Sequence, residues 1–281
     1  MPPERFGLCV AGIGGTVYAA GDADTEFTIM SVAKPFVYAL VCERLGRDET
    51  RRLIGVNATG LPFNSVSAVE RGGDGRTNPM VNPGAIAATS LVRGGALEER
   101  WQLLRDTLSR FAGRELELDG EVYESASATN DRNQSLARLL QSYGRLYSDP
   151  AEAVDLYTRQ SCLRVTARDL AVMGATLANG GVNPLTEERV VDAETCHCTL
   201  AVMTTAGLYE TSGDWLYDIG LPGKSGIGGG IVAVAPGKGS LGTFAPLLDE
   251  AGNSVKGQLA AAFLARRLGL DLLASKAQPH G

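Results

Sequence analysis

The stretch Ser31-Val-Ala-Lys34 decides how the rest of this sequence is interpreted. It follows a strand-like segment that ends at Ile29, and it opens a stretch, residues 32–45, in which apolar residues recur at helical spacing. Three residues along a helix bring an amine onto the same face as a hydroxyl, so Ser31 and Lys34 are candidates for a nucleophile and its base. Such four-residue patterns also arise by chance about once in a chain of this length, so their context matters.

The context supports a helix that begins at the serine. Pro35 is comfortable only in the first turn of a helix, so the sequence predicts a start near Ser31 with an irregular first turn. That start places the hydroxyl at the positive end of the helix dipole. A second short motif, Lys224-Ser-Gly226, lies on a strand-like segment near the other end of the chain.

Working outward, strand patterns occupy both ends of the chain and helical patterns the middle. The predicted fold class is therefore α/β in the broad sense (α+β), with one antiparallel sheet built from both termini and an inserted helical lobe. We expect one catalytic domain, 1–281, with a sheet lobe at 1–30 and 205–281 and a mainly helical lobe at 31–204. The predicted strands are 6–13, 16–20, 215–221, 230–235 and 241–246, and the predicted helices are 32–45, 85–92, 97–112, 133–143, 151–161, 166–177, 187–203 (as one helix or two) and 254–268.

Composition excludes several classes of partner. The 281 residues carry a net charge of −6 and show no basic stripe, so we expect neither a nucleic-acid nor a membrane partner. No apolar run approaches the ~20 residues of a membrane span, and the first residues lack a signal-peptide pattern. A small-molecule substrate and a cytoplasmic location are the expectation.

The numbers of cysteines and histidines limit which kinds of catalytic site the sequence can form. The five cysteines lie scattered in apolar segments, which is typical of reduced thiols. Cys196-His197-Cys198 lacks a second pair of ligands, so we expect no metal. The only other histidine is His280. A Ser-His-Asp triad therefore lacks a base, and a serine nucleophile has to rely on lysine or tyrosine.

The two short motifs together resemble the serine β-lactamase and penicillin-binding-protein fold. Longer stretches are similar to the bacterial and mitochondrial glutaminase family and run from about residue 6 to residue 268. They are much longer than the two short motifs, which disfavours a β-lactam-binding protein. These stretches are Phe63-Asn-Ser65, Asn78-Pro-Met-Val-Asn-Pro-Gly-Ala-Ile86, Asp131-Arg-Asn133, Ala175-Thr-Leu-Ala-Asn-Gly-Gly181, Gly220-Leu-Pro-Gly-Lys-Ser-Gly-Ile-Gly-Gly-Gly-Ile231 and Pro246-Leu-Leu-Asp-Glu-Ala-Gly-Asn-Ser-Val255.

The resemblance implies an activity and a catalytic set. The family hydrolyses the side-chain amide of L-glutamine to glutamate and ammonia without a cofactor. Ser31 would be the acylated nucleophile, Lys34 would accept its proton, and Tyr209 matches the family's catalytic tyrosine. Lysine and tyrosine both have unperturbed pKa values of about 10, so each must be shifted or coupled to move a proton near neutrality.

The resemblance also implies where the substrate is held. The backbone N–H groups of Ser31 and Ile227 would form the oxyanion hole. Asn82, Asn133 and Tyr157 match positions that bind the amino-acid end of the substrate. Family members commonly form dimers or tetramers, so we expect a homodimer or homotetramer.

The sequence departs from the family pattern mainly at the recognition end. The family has a glutamate that binds the substrate's α-ammonium seven residues before Asn133, and here that position is Ala126. Met30, Pro35 and Pro83 also replace the usual residues. The chain begins at its first predicted strand, without the family's amino-terminal segment that caps the pocket.

These departures leave two alternatives to glutamine hydrolysis. In the first, the same acyl-enzyme forms from another amide or ester that lacks a free α-ammonium, or its acyl group passes to an acceptor other than water. A catalytically silent homologue is the second alternative. The glycine-rich run 226–230 also suggests a phosphate-binding loop, but no helical pattern follows it, so close strand packing is the better interpretation.

Overall fold

Five strands form one antiparallel sheet that joins the two ends of the chain in the computed structural model, which describes residues 2–275. The strands are β1 (Gly7–Gly12), β2 (Val17–Gly21), β5 (Gly223–Ser225), β6 (Gly230–Ala235) and β7 (Gly239–Phe244). A separate short ladder joins β3 (Phe27–Thr28) to β4 (Arg164–Val165). The order in the sheet is β2-β1-β7-β6-β5, so the first strand pairs directly with the last. The predicted antiparallel sheet built from both ends is confirmed.

Helices make up most of the chain between β3 and β5, and one more follows β7; together they cover both faces of the sheet. They are α1 (Lys34–Leu45), α2 (Arg47–Leu53), α3 (Ser67–Glu70), α4 (Asn82–Ser90), α5 (Leu97–Ala112), α6 (Gly120–Ala128), α7 (Asp131–Ser142), α8 (Pro150–Ser161), α9 (Ala167–Ala178), α10 (Ala193–Ala206), α11 (Ser212–Ile219) and α12 (Val255–Leu268). No helix in this described stretch is long and apolar enough to cross a membrane.

Glycines let helices approach the sheet closely on opposite faces. A Cβ at Gly242 of β7 would lie 2.1 Å from the carbonyl oxygen of Ala167, at the start of α9. On the other face, a Cβ at Gly257 of α12 would lie 2.7 Å from Thr243 Oγ1. We call the face against α9 the inner face and the face against α12 the outer face. The inner face continues into the largest core, which also buries α1.

Several predicted elements are confirmed where their signals are short-ranged. Helix α9, predicted at 166–177, begins with a capping box in which the side chains of Thr166 and Asp169 each bond to the other's backbone N–H. The first two predicted strands, 6–13 and 16–20, form a hairpin that connects β1 to β2 around the two glycines at positions 14 and 15. These features depend on a few neighbouring residues, so the sequence alone is enough to place them.

Residues 215–221 were predicted as a strand, and that prediction is wrong. They lie mostly in α11, where Trp215 and Ile219 are buried together on one side. Residues four apart share one face of a helix, and this spacing is the signal that the β-rich composition obscured.

The start of α10 and the presence of α6 also differ from the sequence expectation. Residues 187–192 are not helical, because α10 begins only after Asp192, whose side chain accepts a hydrogen bond from Thr195 N. Glu187 has φ +59°, which interrupts a right-handed helix. Helix α6 was not predicted, since none of its residues is buried and no apolar pattern marks it. Its one local signal is the N-cap at Asp119.

Candidate active site

The candidate nucleophile lies on a short turn between β3 and α1. Residues 30–33 form a 3₁₀ turn and α1 begins at Lys34, so the predicted irregular first turn is confirmed. Met30 has φ +48°, a conformation that non-glycine residues rarely adopt. Such strain persists only where surrounding structure holds it, and it is common at active sites. Ser31 is partly exposed, so a small molecule can reach its hydroxyl.

Lys34 lies beneath the serine and is almost completely buried. Its Nζ is 2.8 Å from Ser31 Oγ and 2.7 Å from Asn82 Oδ1, and it forms no ion pair with any carboxylate in the described residues. Burial disfavours the ammonium form and lowers the pKa of Lys34 from 10.5 to about 7. A large fraction of this amine is therefore neutral near pH 7. Its lone pair can then accept the Ser31 proton.

Tyr209 reaches the same place from the other side of the cleft. Its φ is +60°, and its ring packs at 5.1 Å from the ring of Phe63. The hydroxyl donates to the carbonyl of Ser225 at 3.2 Å. Burial raises the pKa of Tyr209 to about 12, although Ser31 and Ser225 act to lower it by a smaller amount. Tyr209 is thus a phenol at neutral pH and is suited to donate a proton.

Three of the predicted binding residues form one hydrogen-bonded chain that ends on Lys34. Asn82 Oδ1 accepts from Lys34 Nζ and also from the Tyr157 hydroxyl at 3.0 Å. Asn82 Nδ2 donates to Asn133 Oδ1 at 3.1 Å. The structure therefore brings together side chains from α4, α7 and α8 that are far apart in sequence. Asn82 connects Lys34, the candidate base, to the other two predicted recognition residues.

The glycine-rich loop after β5 lies directly against the nucleophile. A Cβ at Gly226 would lie 3.2 Å from Ser31 N and 3.0 Å from the carbonyl oxygen of Ile29. A Cβ at Gly228 would lie 2.4 Å from the carbonyl oxygen of Thr28. Close packing, rather than phosphate binding, thus explains these glycines. Ile227 stands between them, which brings its backbone next to Ser31.

Three further residues support the site and were not singled out as site residues from the sequence. Lys224 is fully buried, donates to the carbonyls of Gly207 and Ser225 at 2.7 and 2.6 Å, and lies 4.0 Å from the centre of the Tyr209 ring. Burial, with a smaller effect from Lys34, holds the pKa of Lys224 well below its usual value.

The other two supporting residues are asparagines. Asn130 Oδ1 accepts from Asn133 Nδ2 at 2.6 Å, and Asn253 Oδ1 accepts from the Ser225 hydroxyl. The sequence signal for these two asparagines was their position in or next to the quoted family-like stretches. Asn130 directly precedes Asp131-Arg-Asn133, and Asn253 lies within 246–255.

Ala126 lies on α6, which packs against α8, the helix that carries Tyr157. It is only half-buried, and its methyl group offers no charge to a substrate amine. Position 126 therefore lies on an element beside the Asn82–Tyr157 end of the site. The helix that carries it is the most exposed element near the site, since none of its residues is buried.

The cysteine and histidine residues lie apart from this site. His197 is exposed on α10, the five cysteines are buried as free thiols, and His280 lies outside the described residues. Within residues 2–275 no group of three His, Cys, Asp or Glu side chains is arranged to hold a metal ion.

Comparison with known proteins identifies one family across the chain. Residues 1–273 match the profile of the family described as Glutaminase. Glutaminase 2 of Yersinia pestis is 67% identical over 276 residues, which cover 98% of this chain and 81% of that protein. A glutaminase of Brucella canis is 50% identical over 98% of this chain and 87% of its own length.

Solved structures agree with the sequence relatives. The probable glutaminase ybaS superposes with a TM-score of 0.96 at 45% identity, covering 98% of this chain and 89% of that chain. A Bacillus glutaminase superposes with a TM-score of 0.92 at 30% identity, over 96% of this chain and 92% of that chain. The β-lactamase-like fold class predicted from the two motifs is confirmed by these neighbours.

Proposed function

This chain belongs to the glutaminase family, and we propose that it hydrolyses the side-chain amide of L-glutamine to L-glutamate and ammonia through an acyl-enzyme on Ser31. The observation that carries the proposal is the buried amine of Lys34, 2.8 Å from the Ser31 hydroxyl and, within residues 2–275, with no carboxylate paired to it that would hold its proton. A serine with such a neighbour is a nucleophile that works without histidine. No cofactor takes part in this scheme.

Acylation begins with proton transfer from Ser31 to the neutral amine of Lys34. As the proton leaves, Ser31 Oγ bonds to the amide carbon, and the carbonyl electron pair moves onto the amide oxygen. The N–H groups of Ser31 and Ile227 would donate to this oxyanion. Losing one such donor typically weakens transition-state stabilisation by ~3–4 kcal/mol.

Collapse of this intermediate releases ammonia. The carbonyl re-forms, the carbon–nitrogen bond breaks, and the departing nitrogen takes a proton from the Tyr209 hydroxyl. Lys34, which holds the proton from Ser31, returns one to Tyr209. The raised pKa of Tyr209 favours this role, because the group is protonated when the leaving group needs a proton.

Water completes the cycle. Its oxygen bonds to the acyl carbon while its proton passes to the Lys34 and Tyr209 pair. The bond from carbon to Ser31 Oγ then breaks, Oγ regains a proton, and glutamate leaves. We assign Asn82, Asn133 and Tyr157 to the amino-acid end of the substrate, because their hydrogen-bonded chain leads from Lys34 toward α6.

Ammonia release from L-glutamine tests this function, with Ser31→Ala as the control. We expect turnover by the wild-type protein and none above background by the variant. Intact mass under quench should show the glutamyl adduct on the wild-type protein alone. Equal ammonia release by both proteins would overturn the assignment of Ser31.

A second candidate function keeps the acyl-enzyme but changes the substrate. It is favoured by Ala126, which offers no partner to an α-ammonium. In that case a panel of amides without a free α-ammonium would acylate Ser31 faster than glutamine does. No label on Ser31 with any amide would instead indicate a catalytically silent homologue.

We also propose that the chain assembles as a homodimer or homotetramer and works in the cytoplasm as a single catalytic domain. The buried free cysteines fit a reducing compartment. The continuous sheet made from both chain ends supports one domain, with the sheet lobe at 1–30 and 205–281 and the helical lobe at 31–204. Sedimentation of the purified protein tests the assembly.

A further inference from the structure

Helix α12 presents an exposed apolar stripe on the outer face of the molecule. Val255, Leu259 and Phe263 are 41%, 67% and 62% exposed. They are spaced four residues apart, so they lie along one side of the helix, opposite Ala261 and Ala265, which are buried in the core. Single exposed apolar residues are ordinary, but a continuous row of large ones marks an interaction surface.

The stripe forms a ridge between two grooves. One groove, of about 410 Å³, is lined almost wholly by apolar side chains, including Phe6 and Leu8 beside α12. The other, of about 670 Å³, lies between α11 and α12. Leu259 and Phe263 line both grooves. A ridge with a groove on each side is shaped to pack against a surface of the same kind.

The groove between α11 and α12 also carries separated charges of opposite sign. Asp214 and Asp218 line it from α11, and Arg266 and Arg267 line it from the last turn of α12. None of these four side chains forms an ion pair with another described residue. They are therefore free to pair with a partner.

The two helices run side by side in the same direction, which fixes where the charges lie. Asn253, just before α12, donates to Thr211, just before α11, at 3.0 Å. Leu272 N, just after α12, donates to the carbonyl of Gly220, just after α11, also at 3.0 Å. Asp214 in the first turn of α11 thus lies toward the start of α12, whereas the arginines lie at its end.

From this arrangement we propose that the outer face of α12 is a two-fold interface between two copies of this chain. The two α12 helices pack antiparallel, Leu259 lies nearest the axis, and the arginines of each copy face Asp214 of the other, with Asp218 nearer the axis. Such a surface is self-complementary, as a two-fold interface requires. This inference depends on the proposed assembly and assigns it a surface.

Sedimentation velocity over a concentration series tests the apolar stripe. We expect Leu259→Asp to raise the dissociation constant at least about 30-fold, since it places an unpaired carboxylate at the centre of the interface. Leu185→Asp is the matched control, because Leu185 is 49% exposed and lies on a loop before α10. An unchanged constant for Leu259→Asp in an oligomeric protein would overturn the surface but not the assembly. A monomeric wild-type protein would overturn both.

A charge exchange tests the orientation and remains decisive if an apolar variant misfolds. In the double variants Asp214→Lys/Asp218→Lys and Arg266→Glu/Arg267→Glu, each interface within one variant brings like charges together. We expect each variant alone to associate about tenfold or more weakly than the wild type. Mixing the two should restore wild-type association as heterodimers, because both ends are then attractive. Failure of the mixture to associate more tightly than either variant would contradict the antiparallel arrangement.

Discussion

The proposed proton-transfer region and the proposed recognition region of this molecule differ in how deeply they are buried. Lys34 and Tyr209 are each about 2% exposed and are held by the core. Helix α6, which carries Ala126 at the recognition end, has no buried residue at all. Proton transfer at neutral pH requires desolvation to shift the pKa of Lys34, and only the core provides it. Substitutions on an exposed helix have little effect on folding. Residues proposed to bind the substrate are therefore free to change while those proposed to transfer protons stay the same.

The largest expected effect is on the buried base. Lys34→Met keeps the apolar stem of the side chain and removes the amine that we propose accepts the Ser31 proton. We expect kcat with glutamine to fall by about 10²- to 10⁴-fold. Thermal unfolding should show no loss of stability, because a buried amine that is costly to charge has been removed. A kcat within a few-fold of wild type would show that another group accepts the proton.

The proton donor should show the next largest effect. Tyr209→Phe keeps the ring against Phe63 and removes only the hydroxyl, so we expect kcat to fall about 100-fold with KM little changed. Tyr38→Phe is the matched control, because Tyr38 is also a buried tyrosine but lies within α1, in the helical core. Equal losses in the two variants would indicate a general packing effect and no role in proton transfer.

The recognition region should respond in KM and not in kcat. Ala126→Glu introduces a carboxylate where the family binds the α-ammonium, and a charge-assisted hydrogen bond contributes ~1.5–3 kcal/mol. We therefore expect KM for glutamine to fall by ~10- to 150-fold. Ala128→Glu, on an exposed position of the same helix, controls for the added charge. A change in kcat with KM unchanged would contradict the separation of the two regions.

The smallest expected effect is the change of kcat/KM with pH, which follows the protonation of Lys34. Lys34 must be neutral to accept a proton, and its pKa is about 7. Below that pH the amine is charged, so kcat/KM should fall about tenfold for each further pH unit. The same shift acts on stability with a defined sign. The unfolded lysine holds a proton up to about pH 10 while the folded one does not, so the contribution of Lys34 to unfolding free energy rises from pH 7 to pH 10. A flat kcat/KM profile from pH 6 to pH 8 would contradict a catalytic amine with a pKa of about 7.

Sequence reasoning reached the sheet, most helices and the proposed catalytic residues because their signals are local or lie in family-like stretches. The prediction of secondary structure failed where tertiary packing determines which element forms. Residues 215–221 are rich in strand-forming residues, but Trp215 and Ile219 fold as one buried helical face. Helix α6 escaped detection, since an exposed helix shows no apolar pattern.

Long-range contacts were also beyond prediction from local patterns. Lys224 is separated from Lys34 by most of the chain, yet the two buried amines are close enough for one to lower the pKa of the other. The chain from Asn82 to Asn133 depends on how α4 meets α7. No local sequence pattern encodes contacts between elements that are distant in sequence. The family resemblance named the residues that take part in such contacts but not the geometry of the contacts.

Measuring the pKa of Lys34 is the most direct test of whether this buried amine can accept the Ser31 proton. The sequence contains five lysines, so ¹³Cε-lysine labelling gives a simple spectrum, and Lys34→Met assigns the resonance. We predict that the Lys34 signal titrates at about pH 7, as expected for an amine buried beside Ser31 without a counter-charge. A signal that remains fully protonated up to about pH 10 would contradict the account, because the amine would then be unable to accept the serine proton near neutrality.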